Sequence, residues 1–188
     1  MKPHALLDAN VLFSAAQRDT FVQCVVEGAY RARWSNPIHN EWIKSVLTQR
    51  PDTVESDLRR TQRLMDRFVP DALIEGFEPL IETLSLPDPN DRHVLAAAIH
   101  AGAQFLVTWN LKDFPTAALA PHSIRALSPD AFATMLLGDS EPEVLRALNT
   151  QRKRLRNPPQ TTDEFLETLQ RQGLTRFVAA LAPFSDQL

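Results

Sequence analysis

The chain has 188 residues, a net charge of −3 from 20 Lys and Arg against 23 Asp and Glu, and 44% apolar residues. That length suits one ordinary domain or a domain with a small appendage, and the composition excludes disordered and collagen-like classes. The acidic balance excludes a strongly basic nucleic-acid binder while allowing a local basic patch, and a lone cysteine, Cys24, excludes a disulfide framework or a Cys-rich zinc site.

In chain order, Ala5-Leu6-Leu7 reads as a short buried strand, because a brief apolar run that stops at a polar residue suits a parallel sheet. Broken at once by Asp8, that run is no signal peptide, and no apolar run approaches the ~18 residues of a membrane span. The expectation is a soluble, reduced, cytoplasmic protein with no membrane partner. The chain looks helical from Val11, and Phe21, Val22, Cys24, Val25 and Val26 carry a second helix ending near Gly28. Asn36-Pro37 opens another, with Asn36 as cap and Ile38, Trp42, Val46 and Leu47 as its apolar stripe; Pro51 stops it. Residues 52–68 form a charged amphipathic helix in which Val54, Leu58, Met65 and Phe68 partly line one side. Residues 72–74 and 80–81 are edge-strand candidates. A stiff loop over 86–91 runs into a helix over 91–101, ended by Gly102. Residues 105–108 give the clearest strand, followed by a loop over 109–115. Short strands alternating with helices predict an α/β fold with a parallel sheet.

Beyond about Pro129 the pattern is helical only. Val144, Leu145, Leu148 and Leu155 share a face, and Asn157-Pro158-Pro159 breaks it. Thr161 with Glu164 is a capping box ahead of Phe165, Leu166 and Leu169. Leu174, Phe177, Val178 and Leu181 follow at helical spacing after Gly173. The chain thus divides into a body over 1–135 and a helical C-terminal extension over 140–188.

Four acids stand out by position. Asp8 follows the first strand, and in open parallel sheets ligands sit beyond the carboxyl ends of strands. It could equally cap the next helix. Asp91 heads the apolar face made by Val94, Leu95 and Ala98, where an inward carboxylate is costly unless paired, hydrogen-bonded or bound to a cation. First-turn capping, the competing account, suits Asp88 better. Asp113 lies just past the strand 105–108, although a loop acid commonly faces water. Glu41 borders its helix's apolar stripe, where a solvated glutamate is the alternative. Thr108 and Asn110 could ligate, orient a water or serve turn chemistry. The five histidines make no metal or triad spacing, and His93 and His100 read as two surface side chains. An oxygen-only set suits a hard cation such as Mg²⁺ or Mn²⁺, whose usual work is phosphoryl chemistry.

Three segments carry a family resemblance: Leu6-Leu7-Asp8-Ala9-Asn10-Val11-Leu12, Asp88-Pro89-Asn90-Asp91-Arg92-His93-Val94-Leu95-Ala96-Ala97-Ala98 and Val107-Thr108-Trp109-Asn110-Leu111-Lys112-Asp113-Phe114. They resemble the three acidic motifs of PIN domains, over roughly residues 1–130. Within that family the chain resembles the VapC-type toxins of bacterial toxin–antitoxin modules, in the longer branch with a helical C-terminal extension. The resemblance implies a three-layer α/β/α fold with a central parallel sheet. It also implies a metal-dependent endoribonuclease using Mg²⁺ or Mn²⁺, with Asp8, Asp91 and Asp113 as matched acids. Glu41 is assigned the remaining acid by its place on a helix between the first strand and the middle block. Asp88 is an alternative or supporting acid, and Asn10, Thr108 and Asn110 are supporting polar residues. An antitoxin protein that blocks the site, and a homodimer, are implied as partners.

The expected reaction is hydrolysis of an RNA phosphodiester by metal-activated water, with Asp8, Asp91 and Asp113 holding the ion and Glu41 ligating or orienting water. RNA needs positive charge nearby. Arg59, Arg63 and Arg67 fall on one helix side, and Arg152 and Arg156 belong to a second basic cluster; a solvated helix face is the bland account of each. Two rival readings share the scaffold: a non-catalytic PIN-like module that binds RNA or protein, and a DNA-directed nuclease. A phosphatase with Asp8 as nucleophile would want a second acid where Asn10 stands.

Overall fold

The computed structural model describes residues 2–188. Its strands are β1 (His4–Leu7), β2 (Arg31–Ser35), β3 (Leu73–Ile74), β4 (Phe105–Val107) and β5 (Arg125–Leu127). Its helices are α1 (Ala9–Phe13), α2 (Ala15–Val26), α3 (Asn36–Gln49), α4 (Glu55–Phe68), α5 (Glu78–Ile81), α6 (Arg92–His100), α7 (Thr116–Leu119), α8 (Pro129–Asp139), α9 (Glu141–Arg154), α10 (Thr162–Arg171) and α11 (Thr175–Leu181).

The strands form one parallel sheet in the order β3-β2-β1-β4-β5. Central β1 pairs Leu6 with Arg33 on one side and Leu7 with Val107 on the other. Ala5, Leu6, Leu7, Leu106 and Val107 are fully buried, as expected of strands covered on both faces. Helix α6 packs against β1, β2 and β4, and α2 packs against β2. Phe132 of α8 meets Phe21 of α2, Tyr30 and Phe105 of β4, with ring centroids 5.1–6.0 Å apart, so the first C-terminal helix shares the core of the sheet. The result is the parallel sheet that the alternation of elements predicts, in the three-layer α/β/α architecture that the family resemblance implies, followed by packed C-terminal helices.

Parallel pairing puts the carboxyl ends of neighbouring strands on one edge. The ladder runs one residue past the strands: Asp8 N donates to Val107 O at 3.0 Å, and Thr108 N to Leu127 O at 3.0 Å. Asp8 and Thr108 are therefore carried to the same rim by main-chain bonds.

Local details depart from the sequence reading. Residues 80–81 lie in the short helix α5, with Pro79 in its first turn, rather than on an edge strand. Strands β2 and β5 form where the sequence shows no apolar run; their arginines alternate with inward side chains. Ser35, extended at φ −133°, caps α3, so Asn36 is the first helical residue. Helix α4 starts at Glu55, leaving Val54 outside it and 58% exposed. Phe68, ten residues on from Leu58, is swung about 80° off the stripe at 100° per residue and is 66% exposed. Leu155 sits at the C-cap of α9, past the helical face that buries Val144, Leu145 and Leu148. The capping box forms as expected, with Glu164 N donating to Thr161 Oγ1 and Thr161 N donating to Glu164 Oε2.

A buried polar chain fixes α3 against its neighbours. Trp34 Nε1 donates to Asp66 Oδ1 at 2.8 Å, and Trp42 Nε1 donates to His39 Nδ1 at 2.9 Å. Because Nδ1 accepts, the His39 proton sits on Nε2 and reaches Asp66 Oδ1 at 3.1 Å. Burial lowers the His39 pKa despite the pull of Asp66, which keeps the ring neutral. Glu41 lies two residues further along this fixed helix.

Candidate active site

Asp8 is both a helix cap and a site acid. Its Oδ1 accepts from Ala9 N at 2.7 Å, which starts α1. Its Oδ2 accepts from Asn10 Nδ2 at 2.6 Å and from Thr108 Oγ1 at 2.7 Å. Asn10 Nδ2 also reaches Thr108 Oγ1 at 3.0 Å, and Asn10 Oδ1 accepts from Trp109 N at 3.0 Å. Asn110 N donates to Thr108 Oγ1 at 3.0 Å. One polar knot thus ties the residue after β1 to the residue after β4. Burial raises the Asp8 pKa; the bonds from Thr108 and Ala9 oppose the rise, and the charge of Glu41 adds to it.

A cavity of about 420 Å³ opens beside this knot. It is lined by Asp8, Asn10, Glu41, Ser45, Asp91 and Asn110, among others, and the lining includes no Lys or Arg. Glu41, Ser45 and Gln49 recur at four-residue spacing, so one side of α3 forms a wall. Asp91 ends a short 3₁₀ turn over Pro89–Asp91, ahead of α6. Its pKa is raised to about 6, first by desolvation, then by the charges of Asp8, Asp88, Asp113 and Glu41.

Asp8, Glu41 and Asp91 therefore meet on one cavity, with Asn10 and Asn110 beside them. Asp113 stands back: it is close enough for its charge to act on Asp91, yet it does not line the cavity. Asp88 caps the 3₁₀ turn by accepting from Asn90 N at 2.8 Å, the role first-turn chemistry suggests. Among the described residues no three Asp, Glu, His or Cys side chains are drawn into a closed ligand cage. The donor set nevertheless suits a hard divalent ion in kind. It is all oxygen, and its crowded acids have no basic side chain among the cavity's lining residues to offset them.

Of the basic residues, Arg59 donates to Asn40 Oδ1 at 2.7 Å, next to Glu41, and pairs with Glu55 at 3.2 Å. Arg63 and Arg67 are exposed on the same helix. Arg152 is tied to Gln160 O at 3.1 Å, a contact within the extension, while Arg156 is exposed.

The sequence reading missed His93. It is no surface residue: its side chain is 14% exposed, and Nε2 lies 2.7 Å from Glu41 Oε1. Its Nδ1 is buried without a hydrogen-bond partner. Wheel arithmetic places His93 about 200° from Asp91 on an α-helix. Asp91 lies in the 3₁₀ turn before the helix, so that arithmetic does not apply. Proximity to the Asp91 motif was the available signal.

Comparison with known proteins agrees with this architecture. Residues 4–112 match the model of the PIN domain. This chain belongs to the PIN-domain family. Residues 129–183 match the VapC50 C-terminal domain, which makes it a VapC-type member with a C-terminal extension. Over 57 residues it is 49% identical to the protein named "Putative ribonuclease VapC50" of Mycobacterium tuberculosis (strain ATCC 25618 / H37Rv). That stretch is 30% of this chain and 33% of the relative, so the match spans about a third of the curated protein's length. No solved structure gives a significant match. No helix among the described residues is long and apolar enough to cross a membrane.

Proposed function

We propose that this PIN-family chain is a divalent-metal-dependent endoribonuclease, the toxin of a toxin–antitoxin pair, acting in the cytoplasm. Residues 1–135 would be the nuclease body and 140–188 the extension. The observation that supports it best is the meeting of Asp8, Glu41 and Asp91 on a cavity lined by no basic side chain, where desolvation and the neighbouring acids push the Asp91 pKa up to about 6.

Asp8 and Asp91, with Asp113 from the following loop, would hold Mg²⁺ or Mn²⁺, and Glu41 would complete the set or orient a water. Such an ion supplies a reactive water near neutral pH and offsets charge on the phosphodiester. Thr108 and Asn10 keep the Asp8 carboxylate aimed by donating to Oδ2. His93 holds Glu41 Oε1, so the carboxylate's second oxygen is left to face a water or ion. Arg59, bonded to Asn40 beside Glu41, and Arg63 one turn on would guide the RNA backbone, with Arg67 further along and Arg152 and Arg156 in the extension.

The antitoxin reading is supported by a second, apolar cavity of about 680 Å³ between α2, α4, α9 and α10. Val26, Leu64 and Phe68 at its edge are 49%, 41% and 66% exposed, a patch of the kind that marks protein interfaces. A homodimer belongs to the same reading, and light scattering of the purified chain tests it.

The deciding experiment incubates the purified chain with single-stranded RNA, and separately with DNA, in Mn²⁺, Mg²⁺ or EDTA. RNA cleavage that needs metal and falls about a hundredfold or more in Asp8→Asn supports the reading. Preferential DNA cleavage would favour the DNA-directed alternative, and metal-independent binding without cleavage the non-catalytic one.

A further inference from the structure

The chain has three tryptophans. Trp34 and Trp42 are fully buried, whereas Trp109 is 38% exposed. Trp109 follows Thr108 on the loop beyond β4, and its main-chain N–H donates to Asn10 Oδ1 at 3.0 Å. Asn10 in turn donates to Asp8 Oδ2. The indole therefore leaves the main chain one residue from Asn110, a residue of the acid cavity's wall.

The ring is fixed from behind by the C-terminal extension. Gly173 sits between α10 and α11 with φ +88°, where L side chains are strained. A Cβ added there would stand 2.9 Å from Trp109 Cη2 and 3.2 Å from Cζ2. The six-membered ring thus occupies the space that glycine leaves open. An exposed tryptophan free in solution would lose rotamer freedom on meeting a ligand; this one is already held. Trp109 and the next three residues, Asn110, Leu111 and Lys112, are exposed, and the first of these three lines the acid cavity.

We propose that Trp109 is a base-stacking platform, which receives a nucleobase flanking the phosphate at the acid cavity and is held in place by Gly173. The inference rests on the ribonuclease reading and deepens it. It gives the extension a part in substrate binding: the last helices supply the backing of an aromatic surface beside the site. Stacking tolerates any base, since each has a π face, so the platform sets position rather than sequence.

The test uses the full chain with a short single-stranded RNA at low salt in EDTA, followed by tryptophan emission and, in parallel, by the anisotropy of a labelled RNA. Trp34 and Trp42 give a constant background. The expected result is saturable quenching that tracks the anisotropy. With Mn²⁺ present, Trp109→Leu should raise KM about tenfold with little change in kcat, and Trp109→Phe should restore most of it. Gly173→Ala should weaken RNA binding by displacing the ring, with melting curves reporting any loss of fold. Saturable RNA binding with unchanged emission would overturn the inference, as would an unchanged KM in a folded Trp109→Leu; either leaves the ribonuclease reading standing. A wild-type chain that neither binds nor cuts RNA would remove both.

Discussion

The acid cavity and the apolar cavity are built on opposite terms. The apolar one is larger, about 680 against 420 Å³, and the two arginines on its wall are already engaged. Arg18 stacks 4.5 Å over Trp42 and donates to Leu12 O at 2.6 Å; Arg154 donates to Gln23 Oε1 at 2.8 Å. Burial even draws the Arg18 pKa down to about 10. In the smaller cavity three acids, Asp8, Glu41 and Asp91, face one hollow, and His93 reaches Glu41 Oε1. Volume and charge thus rank the two hollows in opposite order. Charge held together against electrostatic cost points to a reacting centre, whereas satisfied charge around apolar walls points to a partner.

That contrast can be broken most directly by substitution. Asp91→Asn should reduce RNA cleavage about a hundredfold or more, while Phe68→Glu in the apolar cavity should leave it within about twofold. Phe68→Glu should instead abolish capture of the cognate antitoxin in a pull-down. If Phe68→Glu also stops cleavage in a folded protein, the two hollows do not divide the work. A sharper test is His93→Leu, which should weaken Mn²⁺ binding by calorimetry about tenfold, with His93→Gln recovering part of it through its amide donor. Equal affinity in both variants would assign His93 to packing. Charge reversal at Arg59 and Arg63 should lower RNA affinity several-fold and flatten its dependence on salt, read from binding curves at two or more ionic strengths.

The smallest effect is on stability. The Asp91 pKa of about 6 lies above its ordinary 3.8, so between these values the folded chain keeps a proton that the unfolded chain has released. This group's contribution is therefore fully present below about pH 4 and is lost as pH rises through about 6. Asp91→Asn should make the metal-free protein melt about 2–4 °C higher at pH 8, solvent screening at this partly exposed group limiting the gain. It should change little at pH 4. Melting curves at the two values check the sign.

The sequence showed β1 and β4 because both are continuous apolar runs buried on two faces. It showed the capping box and the Asp88 cap because those are local chemistry within three residues. It hid β2 and β5, whose strand character comes from pairing with β1 and β4 while Arg31, Arg33 and Arg125 make them read as polar. At the site, the strand-end rule carried Asp8 to the rim that the structure describes. Asp113, chosen by the same rule, ends the 3₁₀ turn over Leu111–Asp113 and acts on Asp91 through its charge without lining the cavity. His93 and Trp109 were not legible. One depends on a turn changing type before a helix, the other on a glycine 64 positions away.

The strand order has a consequence for synthesis. Because β1 is central, the chain lays down one flank of the sheet, β2 and β3, before it returns to build β4 and β5 on the other. A nascent polypeptide that has emerged only as far as α5 carries Asp8 and Glu41 but neither Asp91 nor the Thr108 hydroxyl that steadies Asp8. Such a fragment lacks part of the acid cavity's wall. The cavity is complete only once the far flank has been made, and the glycine that packs against Trp109 is later still, so the order of elongation is also the order in which the hollow is assembled.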